Sequence, residues 1–202
     1  MTVTLEMMAR HGKAVVAATS QAFIVVDMPF GSYQQSPKQA FDSAAYLMEE
    51  TGAQAVKLEG GEVMAETIEF LTKRGIPVMA HIGMMPQYMN IYGGFKKQGK
   101  TDAEQIQIKA DARAVEEAGA FSVVIEATDA TTAAEISTML TIPTIGIGAS
   151  PECDGQVLVT DDMAGLTDWA PSFVQKFGDM RGELDKAAAG YAAAVRGKTF
   201  PK

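Results

Sequence analysis

The chain has 202 residues, 47% of them hydrophobic, with a mean hydropathy of +0.02 and a net charge of −8. Seventeen basic against twenty-five acidic residues exclude a nucleic-acid binder that works through bulk charge, and no apolar run approaches the roughly 18–20 residues that span a bilayer. A single cysteine, Cys153, excludes an intrachain disulfide; with no signal-peptide order at Met1–Glu6, it makes a reducing cytoplasm the expected location.

Helical spacing predicts a first helix over Thr4–Ala18, followed by a β-branched run, Ala22–Met28, that closes on the carboxylate of Asp27. Pro37–Thr51 carries Ala40, Phe41, Ala44, Ala45 and Met48 on one stripe, and Gly52 is a natural stop. Strand Ala55–Glu59, helix Gly61–Lys73 and strand Pro77–His81 come next, with Gly75 at the helix end. A Thr-Asp cap signal opens helix Thr101–Glu117, which Gly119 ends. Strand Ser122–Glu126, helix Ala130–Leu140 and strand Thr144–Gly148 follow. Phe173–Phe177 is a sixth strand candidate, and Asp179–Val195 is an Ala-rich last helix. Such alternation predicts an α/β domain with a parallel sheet covered by helices. No linker divides the chain, so 1–202 is expected to form a single domain.

The informative feature is how the apolar runs end. Asp27, Lys57, Glu59, His81 and Glu126 lie at the C-terminal ends of four consecutive strands. An unpaired buried charge costs several kcal/mol, so a buried strand carries one only for a reason. Parallel strands would bring all five to one rim, where barrels and open α/β sheets place their sites. Asp27 and Glu59 are hard oxygen donors suited to Mg²⁺ or a similar divalent ion, and two carboxylates with one histidine argue against structural zinc. Lys57 shares a strand face with Glu59. Its charge suits an anionic substrate such as a 2-oxo acid, or its amine could form a Schiff base. Glu126 follows four apolar residues and is a candidate general acid or base. His81 is a proton carrier, a hydrogen-bond donor or a satisfied polar group. His11 reads as a surface or helix-packing residue and Cys153 as a bystander, while Met84-Met85-Pro86 can line a pocket mouth. Gly146-Ile-Gly148 could cradle an anion, but the longer glycine fingerprint of a nicotinamide fold does not follow.

Several stretches together are recognisable: Asp27-Met-Pro-Phe-Gly-Ser-Tyr33, Val56-Lys-Leu-Glu-Gly-Gly-Glu62, and Ala80-His-Ile-Gly83 with Pro86-Gln87. Gly93-Gly-Phe-Lys-Lys-Gln-Gly99, Val124-Ile-Glu126, Ile145-Gly-Ile-Gly-Ala149 and Cys153-Asp-Gly-Gln-Val-Leu-Val159 continue the series. In order and spacing the chain resembles the ketopantoate hydroxymethyltransferase family over nearly its whole length. The resemblance implies a (β/α)8 TIM barrel of the phosphoenolpyruvate/pyruvate superfamily. It also implies the first committed step towards pantothenate and coenzyme A: Mg²⁺-bound 3-methyl-2-oxobutanoate loses its C3 proton, and the enolate attacks the one-carbon unit of 5,10-methylenetetrahydrofolate, giving 2-dehydropantoate. By motif, Asp27 and Glu59 match metal-binding acids, Asp27 and Lys57 match substrate-contacting residues with His81 beside them, and Glu126 matches the proton acceptor. Family members assemble as homo-oligomers, decamers among them, with no nucleic-acid or membrane partner.

The chain departs from the family pattern in three places. Met84-Met-Pro-Gln87 stands for the usual Leu-Thr-Pro-Gln, and Ser150 stands where glycine is common. The family also begins with two further βα units, the second ending in a metal-binding Asp-Ser pair, and this chain resembles the family from the third unit onwards. An N-terminally truncated barrel of about six units is therefore expected. The resemblance leaves two alternatives, a related metal-dependent 2-oxo acid aldolase or lyase, and a catalytically incompetent truncated homologue.

Overall fold

A computed structural model describes residues 2–201. The chain divides into two compact units, Met1–Gln156 and Val157–Lys202. In the first, helix α1 (Leu5–Ala18) starts where the Thr4 hydroxyl accepts the Met7 N–H. Strand β1 (Val25–Asp27) leads to α2 (Pro37–Thr51), capped by the Ser36 hydroxyl on the Gln39 N–H and stopped by Gly52 in the left-handed region, φ 76°. Strand β2 (Ala55–Glu59) is followed by a 3₁₀ turn (Glu62–Met64) and α3 (Ala65–Thr72). After β3 (Val78–Gly83) come a second 3₁₀ turn (Pro86–Tyr88) and the single-turn α4 (Met89–Tyr92). A reciprocal capping box between Thr101 and Glu104 opens α5 (Asp102–Glu117). Strand β4 (Ser122–Glu126), α6 (Ala130–Met139, capped by Asp129), β5 (Thr144–Ile147) and β6 (Gly155–Gln156) complete the unit.

All six strands are parallel and each lies beside its sequence neighbours, in the order β1-β2-β3-β4-β5-β6. This sheet winds in one direction, as a barrel does, and lacks the reversal of strand order that marks a doubly wound sheet. Because side chains alternate along a strand, the register sorts the residues into two faces. Val26, Val56, Leu58, Val78, Ala80, Ile82, Val123 and Ile125 form one face and pack on helix residues such as Leu47, Ile68, Leu71, Val115 and Ile136. The opposite face receives Asp27 beside Lys57, Glu59 beside His81, and Gly83 beside Glu126.

The second unit contains α7 (Thr160–Met163) and α8 (Met180–Arg196). Asp179 caps α8, and the Met180 N–H donates to the Ala164 carbonyl at 3.0 Å. Phe173–Phe177, the sixth strand expected from sequence, is not a strand. Val174 closes a turn on the Pro171 carbonyl, the Phe177 N–H donates to Met163 O at 2.8 Å, and both phenylalanines are exposed. The sixth strand is instead Gly155–Gln156, two residues with no apolar pattern to betray them, paired with Ile145 and Gly146.

The helix-facing side of the sheet carries the packing energy. Ile125→Ala is expected to cost about 2–5 kcal/mol in urea unfolding, because a fully buried side chain is removed from a filled core. Ile106→Ala, on the exposed side of α5, is the control and should stay within about 0.5 kcal/mol of the parent.

Candidate active site

The site starts from the ends of β1 to β4. The Asp27 carboxylate, about half exposed, is 3.1 Å from the Lys57 ammonium, whose side chain is mostly buried. Lys57 Nζ also lies 3.4 Å from His81 Nδ1. On the other side of that ring, Nε2 is 3.1 Å from the Met84 carbonyl oxygen and 3.3 Å from Glu126 Oε2. In a neutral ring these neighbours would select one tautomer. Nε2, which faces two acceptors, would carry the proton, and Nδ1, which faces the Lys57 ammonium, would keep its lone pair. Asp27, Lys57, His81 and Glu126 thus form one continuous line across four strands.

Glu59 sits beside this line and is 5% exposed at its side chain. Its Oε2 accepts the Gln87 N–H at 2.8 Å, and its Oε1 is 3.9 Å from His81 Nδ1, beyond hydrogen-bond reach. Burial pushes this carboxyl above the ordinary glutamate value of 4.5. The His81 ring when charged, the Gln87 N–H and Lys57 oppose the shift, and Asp27 adds to it. Burial also raises the phenols of Tyr33 and Tyr88 and pushes Tyr92 up to about 12, so all three remain hydrogen-bond donors at neutral pH.

Backbone geometry aims Glu126. Gly83, at φ 86°, ends β3 against it; a Cβ there would lie 2.6 Å from the Glu126 carbonyl oxygen. Ala127 has a φ of 42°, unusual for a residue with a side chain and costing about 1–3 kcal/mol. It is held there by its N–H donating to Ile147 O at 2.8 Å and its carbonyl accepting the Gln98 N–H at 2.9 Å. The Glu126 carbonyl accepts from Met84 N–H at 2.9 Å and from the Thr128 hydroxyl at 3.0 Å.

The five residues singled out in the sequence therefore meet on one face. Sequence reasoning missed Gln87, Tyr33, Gly83 and Ala127 as parts of the site. Gln87 and Tyr33 stand inside the quoted stretches, but neither is charged, so charge at strand ends could not mark them. Two open surface depressions, about 370 and 540 Å³, lie against Ser36 and Asp42 and against Ser137 and Asp154, and hold none of these groups.

Asp27 and Glu59 are the oxygen donors available to a divalent ion. Among the described residues no three His, Cys, Asp or Glu side chains cluster as a closed metal cage. Two carboxylates on adjacent strands match an ion such as Mg²⁺, which keeps waters and substrate oxygens in its shell, and do not match the closed shell of structural zinc. Half-exposed Asp27 and the Glu59 Oε1, which accepts no hydrogen bond, keep lone pairs that such an ion could use.

Because the folded protein raises the Glu59 pKa, it holds that proton more tightly than the unfolded chain does. The associated stability is full below 4.5 and is lost as pH rises through the folded value. Glu59→Gln mimics the protonated form. In a chelating buffer it should raise the unfolding temperature at about pH 7.5, with the difference shrinking towards about pH 4. A variant melting below the parent at neutral pH would show that the charged neighbours outweigh burial.

The ketopantoate hydroxymethyltransferase family model matches residues 1–202. The 3-methyl-2-oxobutanoate hydroxymethyltransferase of Paramagnetospirillum magneticum is 59% identical over 200 residues, covering 98% of this chain and 73% of that protein. The enzyme of the same name from Phenylobacterium zucineum is 55% identical over 199 residues, covering 98% and 72%. Among solved structures, phosphonopyruvate hydrolase superposes with a TM-score of 0.57 at 13% identity, covering 98% of this chain and 68% of that one. The same hydrolase in complex with oxalate and Mg²⁺ gives 0.55 at 17% identity, covering 98% and 69%. At that identity the likeness shows the barrel-type α/β fold alone. Sequence similarity along its whole length makes this chain a member of the ketopantoate hydroxymethyltransferase family.

Proposed function

We propose that this chain is a hydroxymethyltransferase that adds the one-carbon unit of 5,10-methylenetetrahydrofolate to C3 of 3-methyl-2-oxobutanoate, giving 2-dehydropantoate for pantothenate synthesis. The observation that carries this reading is the unbroken line Asp27–Lys57–His81–Glu126, with one candidate metal acid, Asp27, at one end, a carboxylate base at the other, and Glu59 beside the line next to His81. The Lys57 ammonium offsets the carboxylate of the oxo acid and the negative charge that develops at its 2-oxo oxygen. The ion pair with Asp27 at 3.1 Å supports an electrostatic role for this lysine over a Schiff base. Glu126 accepts the C3 proton, and the His81 Nε2–H, 3.3 Å away, steadies its carboxylate facing the substrate. Asp27 and Glu59 would hold Mg²⁺, which supplies Lewis acidity at the 2-oxo oxygen.

The reading extends to a homo-oligomer acting in the cytoplasm as a single-domain protein on small molecules. Assembly is supported by α8, on which Leu184, Tyr191 and Val195 share one face and are exposed. No helix among the described residues is long and apolar enough to cross a membrane.

Deuterium exchange at C3 of 3-methyl-2-oxobutanoate isolates the proton-transfer half from folate chemistry. The parent chain should exchange in a Mg²⁺-dependent manner, and Glu126→Gln should slow exchange by about 10²–10⁴-fold while leaving Mg²⁺ affinity within about twofold. Asp27→Asn should weaken Mg²⁺ and oxo-acid binding together. A folded parent chain that catalyses no exchange would defeat the proposal, and equal Mg²⁺ affinity in the two variants would defeat the division of roles.

A further inference from the structure

Two uncharged side chains outside the proposed chemistry tie together the strand ends that carry Asp27 and Glu59. Gln87 enters from the turn after β3 and reaches both. Its backbone N–H donates to Glu59 Oε2 at 2.8 Å, and its side-chain Nε2 donates to the carbonyl of Met28, the residue after Asp27, at 2.9 Å. Its Oε1 accepts from the Tyr33 hydroxyl at 2.7 Å and from Gln34 Nε2 at 2.9 Å. The fully buried Tyr33 hydroxyl in turn accepts the Glu59 N–H at 3.1 Å. One amide and one phenol therefore bond the segment after β1, the end of β2 and the turn after β3 to each other.

We infer that Gln87 and Tyr33 are positioning residues that fix the separation and orientation of the Asp27 and Glu59 carboxylates for a divalent ion. This rests on the metal role proposed above for those two acids. The clamp is neutral throughout, so it orders Glu59 without neutralising the charge that a cation needs. It also occupies only Oε2. Oε1, whose nearest ring nitrogen is 3.9 Å away, is left for the ion. Outer groups that orient metal ligands typically contribute 10–100-fold to metal affinity.

The test is Mg²⁺ titration calorimetry on the full chain, with Gln87→Met and Tyr33→Phe as variants and thermal unfolding in EDTA as the fold control. Gln87→Met keeps the backbone N–H to Glu59 and the side-chain length but loses the bonds to Met28 and Tyr33. Tyr33→Phe removes a single oxygen from a ring that stays packed, so it decides the matter if Gln87→Met does not fold. The expected result is a Mg²⁺ dissociation constant weaker by tenfold or more in each folded variant. A purely structural role would lower the unfolding temperature in EDTA and leave the affinity of the folded protein alone, and that result would overturn the inference. If the parent chain bound no Mg²⁺, the metal role of Asp27 and Glu59 would fall, and this inference with it. Parent binding with unchanged variant affinities would remove the positioning role alone.

Discussion

The network around the ends of β1, β2 and β3 depends on one requirement: the Glu59 carboxylate is nearly buried and has to be given partners. A charge taken out of water without them costs several kcal/mol. The protein supplies a backbone N–H from Gln87 and places Lys57 and His81 within Coulombic reach. To hold that N–H in place, the turn after β3 is itself tied to Met28 and Tyr33. A polar network of this kind works only when its fully buried atoms are satisfied, and among the described residues no fully buried side-chain nitrogen or oxygen lacks a hydrogen-bond partner; Glu59 Oε1 is the carboxylate oxygen that the network leaves unbonded. The other face of the sheet is built to the opposite rule, apolar against helices, so the alternation of a parallel strand keeps the two chemistries apart by a single residue.

The Glu126 end of the line is governed by backbone strain more than by charge. In the proton-accepting role proposed for it, Glu126 would have to sit within about half an ångström of its working position, and a side chain at the tip of a strand is normally free to wander. Here the next residue, Ala127, is pinned at positive φ by ladder bonds to Ile147 and Gln98, and Gly83 lets β3 close against the Glu126 carbonyl. His81 then holds the carboxylate from the side. The cost of the Ala127 conformation is met by hydrogen bonds that a relaxed backbone could not make, a pattern common at functional positions.

The legible part of this protein was the part written in periodicity and charge. Apolar runs of five to seven residues gave the first five strands, three of them after helices that a glycine (Gly52, Gly75 or Gly119) follows, and the Thr101 cap and Gly52 stop lie at the ends of α5 and α2. Ionisable residues ending apolar runs gave all five charged or imidazole members of the site. The features that escaped lack either signal. Gly155–Gln156 is a strand only because Ile145 and Gly146 offer it a ladder, whereas Phe173–Phe177 has the composition of a strand and no partner to pair with. Gln87 acts through a backbone N–H and a neutral amide, and Ala127 through a torsion angle. None of these can be read from residue type, because each depends on which segment the fold brings alongside.

Charge balance on the polar face links the site to its proposed cargo. With His81 neutral, the ionised forms of Asp27, Glu59 and Glu126 set three negative charges against the single positive charge of Lys57. That leaves an excess of two negatives, and a 2-oxo acid would bring a third into a low-dielectric wall where like charges repel strongly. The upward shift of the Glu59 carboxyl registers the cost of holding that charge buried, with Asp27 contributing to it. A divalent cation between Asp27 and Glu59 would cancel the excess at the place where the two carboxylates are held, which makes a hydrated hard ion and an anionic oxo acid mutually dependent ligands of one surface. On this reading the metal acids, the lysine and the base form a single electrostatic unit, and the neutral Tyr33–Gln87 clamp fixes its dimensions without adding to its charge.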